Sequence, residues 1–329
     1  MNIVVLERHS VGTDVSVEEF NNYGNVTIHN NTSTPEEVIE RVKDADIIIA
    51  NKAPLNESTL RDANNLKLIC ELATGFDNVD INYCKSRGIQ VSNVVDYSTD
   101  AVAQHTFALL FYVLEKLRHY DDYVKSGEYA SQSRFSNFDK AFTEIAGKTW
   151  GIIGLGHIGQ KVAKIATAFG CRVITYSVTK KADTGFFKDK DTGYEYEYVS
   201  FDDFLKQSDI VSIHCPLSDL TRGLMNYEAF LKMKPASILI NVARGPVVVD
   251  ADLKRALDEN LIGAAGLDVT STEPMKPENP LSKFMDSDRL IITPHLAWAS
   301  VEARGRCVSE TAKNIKAFIE GEKRNVVWE

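Results

Sequence analysis

Short apolar runs rich in β-branched residues alternate with stretches of helical periodicity along most of the chain. Ile3–Leu6, Val26–Ile28, Ile47–Ala50, Leu68–Leu72 and Ile89–Val91 form a first series of predicted strands. Thr149–Ile153, Arg172–Tyr176, Ile210–His214, Ile238–Val242, Ala264–Val269 and Leu290–Thr293 form a second. Helical patterns such as Pro35–Lys43, Gln160–Phe169 and Asp250–Glu259 lie between them. This alternation predicts an α/β protein with parallel sheets covered by helices on both faces. The strands are continuous apolar runs, as a doubly covered sheet requires.

Two features divide the pattern. Ala101–Tyr120 reads as one long helix whose apolar face includes Phe107, Leu110, Phe111, Leu114 and Leu117, with Ser98, Thr99 or Asp100 as its cap. A last helix, about Ser300–Glu320, has no strand after it and is expected to fold back on the first series. The expected fold is therefore two doubly wound, Rossmann-like parallel-sheet domains with a cleft between them. One is discontinuous, 1–97 plus 298–329; the other spans 98–297. The segment Tyr120–Gly147 is polar, irregular and rich in aromatics, and too long for an ordinary connection. It reads as an arm, 120–147, that packs on a second copy to make a homodimer; a surface excursion on a monomer is the alternative.

Length supports two domains: 329 residues suffice for two large cores. Composition, 44% hydrophobic and 25% charged, excludes wholesale disorder. The net charge of −9, with no basic run longer than Lys180-Lys181, argues against a nucleic-acid partner. No stretch approaches 18 apolar residues, so no membrane span is expected, and Ile3–Leu6 is too short for a signal peptide. The expected location is the cytoplasm. The five cysteines are odd in number and include no Cys-x-x-Cys, so they read as reduced core thiols. His214-Cys215 makes a poor metal pair, since neighbours on a strand face opposite ways, and no metal is expected.

Gly154-Leu155-Gly156-His157-Ile158-Gly159 is a G-x-G-x-x-G that follows a predicted strand and opens a predicted helix. That context turns a weak pattern into a dinucleotide loop. Gly154 permits the tight turn, Gly156 the approach of pyrophosphate, and Gly159 close packing of helix on sheet. The pyrophosphate then meets the amides at the positive end of the helix. The next strand ends at Ser177, where an NAD-selective site would carry Asp or Glu. Serine neither grips two ribose hydroxyls nor repels a 2′-phosphate, and Thr179, Lys180 and Lys181 follow. NAD(H) and NADP(H) thus both stay open, with NADPH accepted. Lys181–Glu197 reads as an insertion, in which Glu195 is a candidate substitute acid.

Three ionisable residues follow three strands of the second series: Arg244 after Ile238–Val242, Glu273 after Ala264–Val269, and His295 after Leu290–Thr293. Ligands of open α/β sheets bind beyond the carboxyl ends of strands. Hydride transfer to a ketone makes an alkoxide that needs a proton, which a histidine supplies near neutral pH. A carboxylate beside the imidazole fixes its tautomer and stabilises its cation. An arginine grips a carboxylate at two points and polarises the carbonyl. His214 is a rival base, but no carboxylate obviously serves it, so His214-Cys215-Pro216 is assigned to the cofactor wall.

These motifs, with His214–Leu217, Asn241–Pro246, Gly266–Val269, Glu273-Pro274 and Pro294-His295, resemble the D-isomer-specific 2-hydroxyacid dehydrogenases over nearly the whole chain. The resemblance implies that His295 is the acid/base, Glu273 its partner and Arg244 the substrate anchor. It makes the discontinuous domain the substrate-binding one, and the other the dinucleotide-binding one through which a homodimer is clasped. Asp268 and the Val242–Ala243–Arg244 backbone would flank the nicotinamide, with Thr99 nearby. Thr74–Asp80, Asp96–Thr99, Ala103–Thr106 and His295–Ala299 resemble the glycerate dehydrogenase and hydroxypyruvate reductase branch. There the amides of Ala73, Thr74 and Gly75 would receive the substrate carboxylate, with Asn51 and Lys52 beside them; Lys52 reads equally as a surface lysine. The expected activity is reduction of a small 2-keto acid, hydroxypyruvate or glyoxylate, to the D-2-hydroxy acid. The alternatives are a dinucleotide-sensing corepressor on the same scaffold, and a formate or phosphite dehydrogenase. The stop at Glu329 argues against the longer phosphoglycerate dehydrogenases.

Overall fold

The structure is a computed structural model that describes residues 1–179, 185–284, 286 and 288–328. Lys180 and Lys181 lie outside the described residues. The chain divides into two compact units, Met1–Ser98 with Trp298–Glu329, and Thr99–Ala297.

The first unit holds five parallel strands: β1 (Asn2–Val5), β2 (Asn25–Ile28), β3 (Ile47–Ala50), β4 (Leu68–Glu71) and β5 (Gln90–Ser92), in the order β2-β1-β3-β4-β5. The central strands β3 and β4 are buried at every position, which explains their unbroken apolar pattern. Only Glu71 departs from it. The helix Pro35–Val42 is started by a capping box in which Thr34 and Glu37 satisfy each other's backbone amides. The C-terminal helix Val301–Ile319 belongs to this unit, is capped by Ser300, and packs against β4.

The second unit holds eight strands: β6 (Thr149–Ile153), β7 (Arg172–Tyr176), β8 (Phe186–Lys188), β9 (Glu195–Tyr198), β10 (Ile210–Ile213), β11 (Ile238–Asn241), β12 (Ala264–Leu267) and β13 (Leu290–Ile292). Their order is β13-β12-β11-β10-β6-β7-β9-β8, all parallel except the edge strand β8. The chain winds outward from β6 on both sides. The β6/β10 boundary is therefore the switch point where a doubly wound sheet opens for a ligand.

Four expectations are corrected. The single helix Ala101–Tyr120 is two, Thr99–Leu114 and Leu117–Lys125. Between them Lys116 takes φ 56°, and its ammonium donates to the Asp288 carbonyl at 3.0 Å. A tertiary contact overrides the helical pattern there, with no Gly or Pro to announce the break. Residues 120–147 are accordingly not irregular throughout, since helix runs to Lys125 and returns at Glu128–Ser131. The 181–197 stretch is more than an insertion: it carries β8 and supplies β9, which pairs in parallel with β7. The helix after the glycine loop also begins at His157, three residues before the expected start.

Candidate active site

The loops after β6, β10, β11, β12 and β13 leave the same edge of one parallel sheet, because each pair of neighbouring strands runs in register. Five of the sequence-identified groups sit on them, one on each: the glycine loop, His214–Pro216, Arg244, Glu273 and His295. Gly154 takes φ 91°, and a Cβ there would meet the Cys215 amide at 2.8 Å. A Cβ at Gly159 would lie 2.2 Å from the Gly154 carbonyl, so glycine is what lets the helix sit on the turn. At Gly156 a Cβ would meet no atom within 4 Å, which marks room beside the backbone. Gly156 caps the His157–Ala168 helix without a side-chain acceptor, and no acid lies in the first turn. His157 is exposed and Ile158 half-buried. The residues fit a dinucleotide pyrophosphate: space, donors and the positive helix end are all present.

Ser177 follows β7, and its hydroxyl pairs with that of Thr179 at 3.1 Å. Glu195 is placed otherwise than the substitute acid requires. Ile174 pairs with Glu197 and Thr175 with Tyr198, so Glu195 stands level with Arg172 at the amino end of β7. That is roughly 13 Å along the strand from the Tyr176 end, by the usual rise per residue. It also pairs with Lys188 at 3.8 Å.

His214 is a poor rival to His295 as acid/base. Burial pushes its pKa down to about 3, and its Nδ1 is buried without a partner. Its Nε2 meets the Ser212 hydroxyl at 2.9 Å. The indole of Trp150 can only donate, and does so to the same hydroxyl at 2.8 Å. Pro216 beside it is exposed, and its carbonyl accepts from Thr221 at 2.8 Å.

Arg244 is held by its loop. The buried Asn241 accepts from the Ala243 amide at 3.1 Å and donates to the Arg244 carbonyl at 3.0 Å. Val242 is buried and Ala243 half-buried. Next to Arg244, Gly245 packs so tightly on Thr270 that a Cβ has no space. The β11 and β12 loops are thereby pressed together.

Glu273 and His295 form the centre of the site. Glu273 Oε2 lies 2.6 Å from His295 Nδ1, and its Oε1 accepts from the Thr270 amide at 3.2 Å. Both side chains are partly exposed, 35% and 26%, so the pair is reachable by a ligand. Asp250 steadies the Glu273 loop by accepting from Ser271 and from Asn279, whose amide is 2.6 Å away. His295 sits at φ 54°, a conformation unfavourable for histidine unless its surroundings impose it. They do: its amide donates to the Asp268 carbonyl at 2.8 Å.

The Asp268 side chain is held from within its own unit. It accepts from Thr293 at 2.6 Å and from the Leu296 and Ala297 amides at 2.9 and 2.8 Å. His105 approaches to 3.5 Å and also contacts the Thr293 hydroxyl at 3.0 Å. Burial disfavours the charge, but the bonds from His105, Thr293 and the two amides outweigh it and hold the carboxyl below its usual range. Sequence reading missed His105 and Thr293 as members of this network. Thr99 opens the helix that carries His105.

In the first unit, the carboxylate of Glu7 accepts the Asn51 and Lys52 amides at 2.7 and 3.0 Å. Asn51 is buried and its amide donates to the Leu72 carbonyl at 2.9 Å, while Lys52 is exposed. The carbonyls of Ala73 and Thr74 are tied to Val94 and Asn93. The amides of Ala73, Thr74 and Gly75 donate to no described residue. A tripeptide whose acceptors are pinned and whose donors are unengaged suits an anion. All five cysteines are buried and free.

Residues 107–297 match the family model of the D-isomer specific 2-hydroxyacid dehydrogenase NAD binding domain. The chain is 37% identical over 330 residues to a hydroxypyruvate reductase of Blautia hydrogenotrophica, covering 99% of both. It is 38% identical to a glycerate dehydrogenase of Methylorubrum extorquens, covering 99% of this chain and 98% of the other. Among solved structures it resembles an NADPH-dependent glyoxylate/hydroxypyruvate reductase of Sinorhizobium meliloti in complex with citrate. That match has a TM-score of 0.83 and 26% identity, over 99% of this chain and 97% of the other.

Proposed function

The chain belongs to the D-isomer-specific 2-hydroxyacid dehydrogenases, and from that premise we propose that it reduces hydroxypyruvate or glyoxylate to the D-2-hydroxy acid. The observation that carries this reading is the 2.6 Å contact between Glu273 and His295 on a sheet edge that also presents Arg244. When bound, the nicotinamide dinucleotide supplies the hydride. Arg244 grips the substrate carboxylate and polarises the carbonyl. With Nδ1 engaged by Glu273, Nε2 of His295 is the nitrogen assigned to proton delivery, and the carboxylate stabilises the imidazolium that gives the proton up. The amides of Ala73, Thr74 and Gly75, with Asn51 and Lys52, are assigned to the substrate anion. Thr99, Gly154, Gly156, His157, Ile158, Gly159, Ser177, His214, Pro216, Val242, Ala243 and Asp268 are assigned to the dinucleotide.

The unit Thr99–Ala297 is then the cofactor-binding domain and the discontinuous unit the substrate-binding one. A homodimer accords with the arm after Lys125, where Phe135 and Phe138 are 91% and 82% exposed. Light scattering should give twice the 36.7 kDa chain mass. Five free thiols suit the reducing cytoplasm. The test of function is a panel of 2-keto acids with NADH and with NADPH: hydroxypyruvate or glyoxylate should give the highest kcat/KM. Absence of turnover with every 2-keto acid would overturn the reading.

A further inference from the structure

Glu71 is a fully buried acid at the end of a strand that is otherwise apolar. It pairs in register with Ala50, so the two loops that begin at Asn51 and Leu72 start on either side of it. Its Oε1 accepts from the Asn78 amide at 3.1 Å, and that amide also donates to the Ala53 carbonyl at 3.0 Å. Glu71 and Asn78 thus tie the Asn51 loop to the loop of Ala73, Thr74 and Gly75. Its Oε2 has no hydrogen-bond partner. We propose that Glu71 is a proton-dependent positioning residue: neutral, it holds the two loops ready for the substrate carboxylate, and ionised, it opposes that anion.

The inference rests on the proposed reduction of a 2-keto acid. Glu7, the neighbouring acid, has its carboxylate satisfied by the Asn51 and Lys52 amides. Glu71 has one weak donor and no solvent. Desolvation therefore pushes its pKa up to about 8; Asn78 and Lys52 favour the charge, and Glu7 and Asp77 oppose it. The remaining titratable neighbours are the thiols of Cys70, on the same strand, and Cys307, on the C-terminal helix. A buried negative charge at the root of the loop assigned to the substrate anion weakens anion binding, and by reciprocity a bound anion favours the neutral acid.

The test compares wild type with Glu71→Gln, which keeps the neutral shape and the acceptor toward Asn78. KM for glyoxylate is measured from pH 7 to pH 9 at saturating cofactor. The ratio of wild-type to variant KM should rise about tenfold over this range, since one pH unit above the pKa leaves about a tenth of the acid neutral. The His295 dependence is common to both enzymes and cancels in the ratio. Melting temperature supplies an independent readout. The folded chain keeps a proton that the unfolded chain releases near 4.5, so wild type should lose stability relative to Glu71→Gln as pH rises from 5 to 8. A shifted melting profile with a flat KM ratio would make Glu71 a buried acid without a role in binding, and the proposal would fall. Failure of both enzymes to turn over glyoxylate or hydroxypyruvate would instead strike the proposed function, and this inference with it.

Discussion

Asp268 and Glu71 are both buried acids at the carboxyl end of a parallel strand, yet their surroundings differ. Asp268 receives a hydroxyl and two backbone amides, with His105 close by, and stays ionised. Glu71 receives one side-chain amide and is driven toward neutrality. Burial alone does not decide the charge of a carboxyl; the number of donors does. The ionised acid draws the backbone of 293–297 around itself and so sets His295 at its unusual φ. The neutral acid draws in a single donor, the Asn78 amide, and through it ties the Asn51 loop to its own.

Replacing His295 by alanine should have the largest effect if the Asp268 edge performs the chemistry. Turnover should fall about 10²–10⁴-fold, the usual worth of a positioned proton donor, with cofactor affinity by fluorescence titration nearly unchanged. Near-normal turnover would move the reaction off this edge.

Asp268→Asn tests the scaffold itself. An amide cannot accept from every donor now aimed at the carboxylate, so urea unfolding at pH 7 should show a loss of about 2–3 kcal/mol. The Asp268 carboxyl is held below its ordinary value of 3.8, so its contribution is present above that value and fades as pH falls through the folded pKa. The gap between wild type and variant should narrow on acidification. A gap independent of pH would mean that shape, not charge, is what the site needs.

Ser177→Asp, at the ribose side, should raise the NADH-to-NADPH specificity ratio at least tenfold, which about 1.4 kcal/mol accomplishes. An unchanged ratio would show that Ser177 does not face the ribose. The smallest effect belongs to the other acid. Near pH 5, Glu71→Gln should unfold within about 0.5 kcal/mol of wild type, since one neutral group replaces another. A large loss there would erase the contrast with Asp268.

Much of this was legible in the residues. The buried strands had to be continuous apolar runs, and they lie within a residue or two of their expected bounds. The Glu273–His295 contact followed from placing each residue after a strand of one parallel sheet. What stayed hidden depends on tertiary contacts. Lys116 breaks a helix because of the Asp288 carbonyl, 172 residues away in sequence. Tyr196, the buried member of β9, sits among exposed and half-buried polar neighbours, so no apolar run announced the strand. His105 and Thr293 carry no signal of their own, because only the fold brings them to Asp268. Glu71 lies inside the predicted strand Leu68–Leu72, where the apolar pattern says nothing of what its carboxyl meets.

The most direct test of the account is the turnover of keto-acid reduction in wild type and in Glu273→Gln. Reduction needs a proton delivered from the imidazolium. Removing the carboxylate 2.6 Å from Nδ1 withdraws its hold on the ring and its support for the cation, so kcat should fall about tenfold or more in the variant, with cofactor affinity unchanged. Equal turnover in the two enzymes would contradict the account, because Glu273 would then have no hold on the proton that His295 delivers.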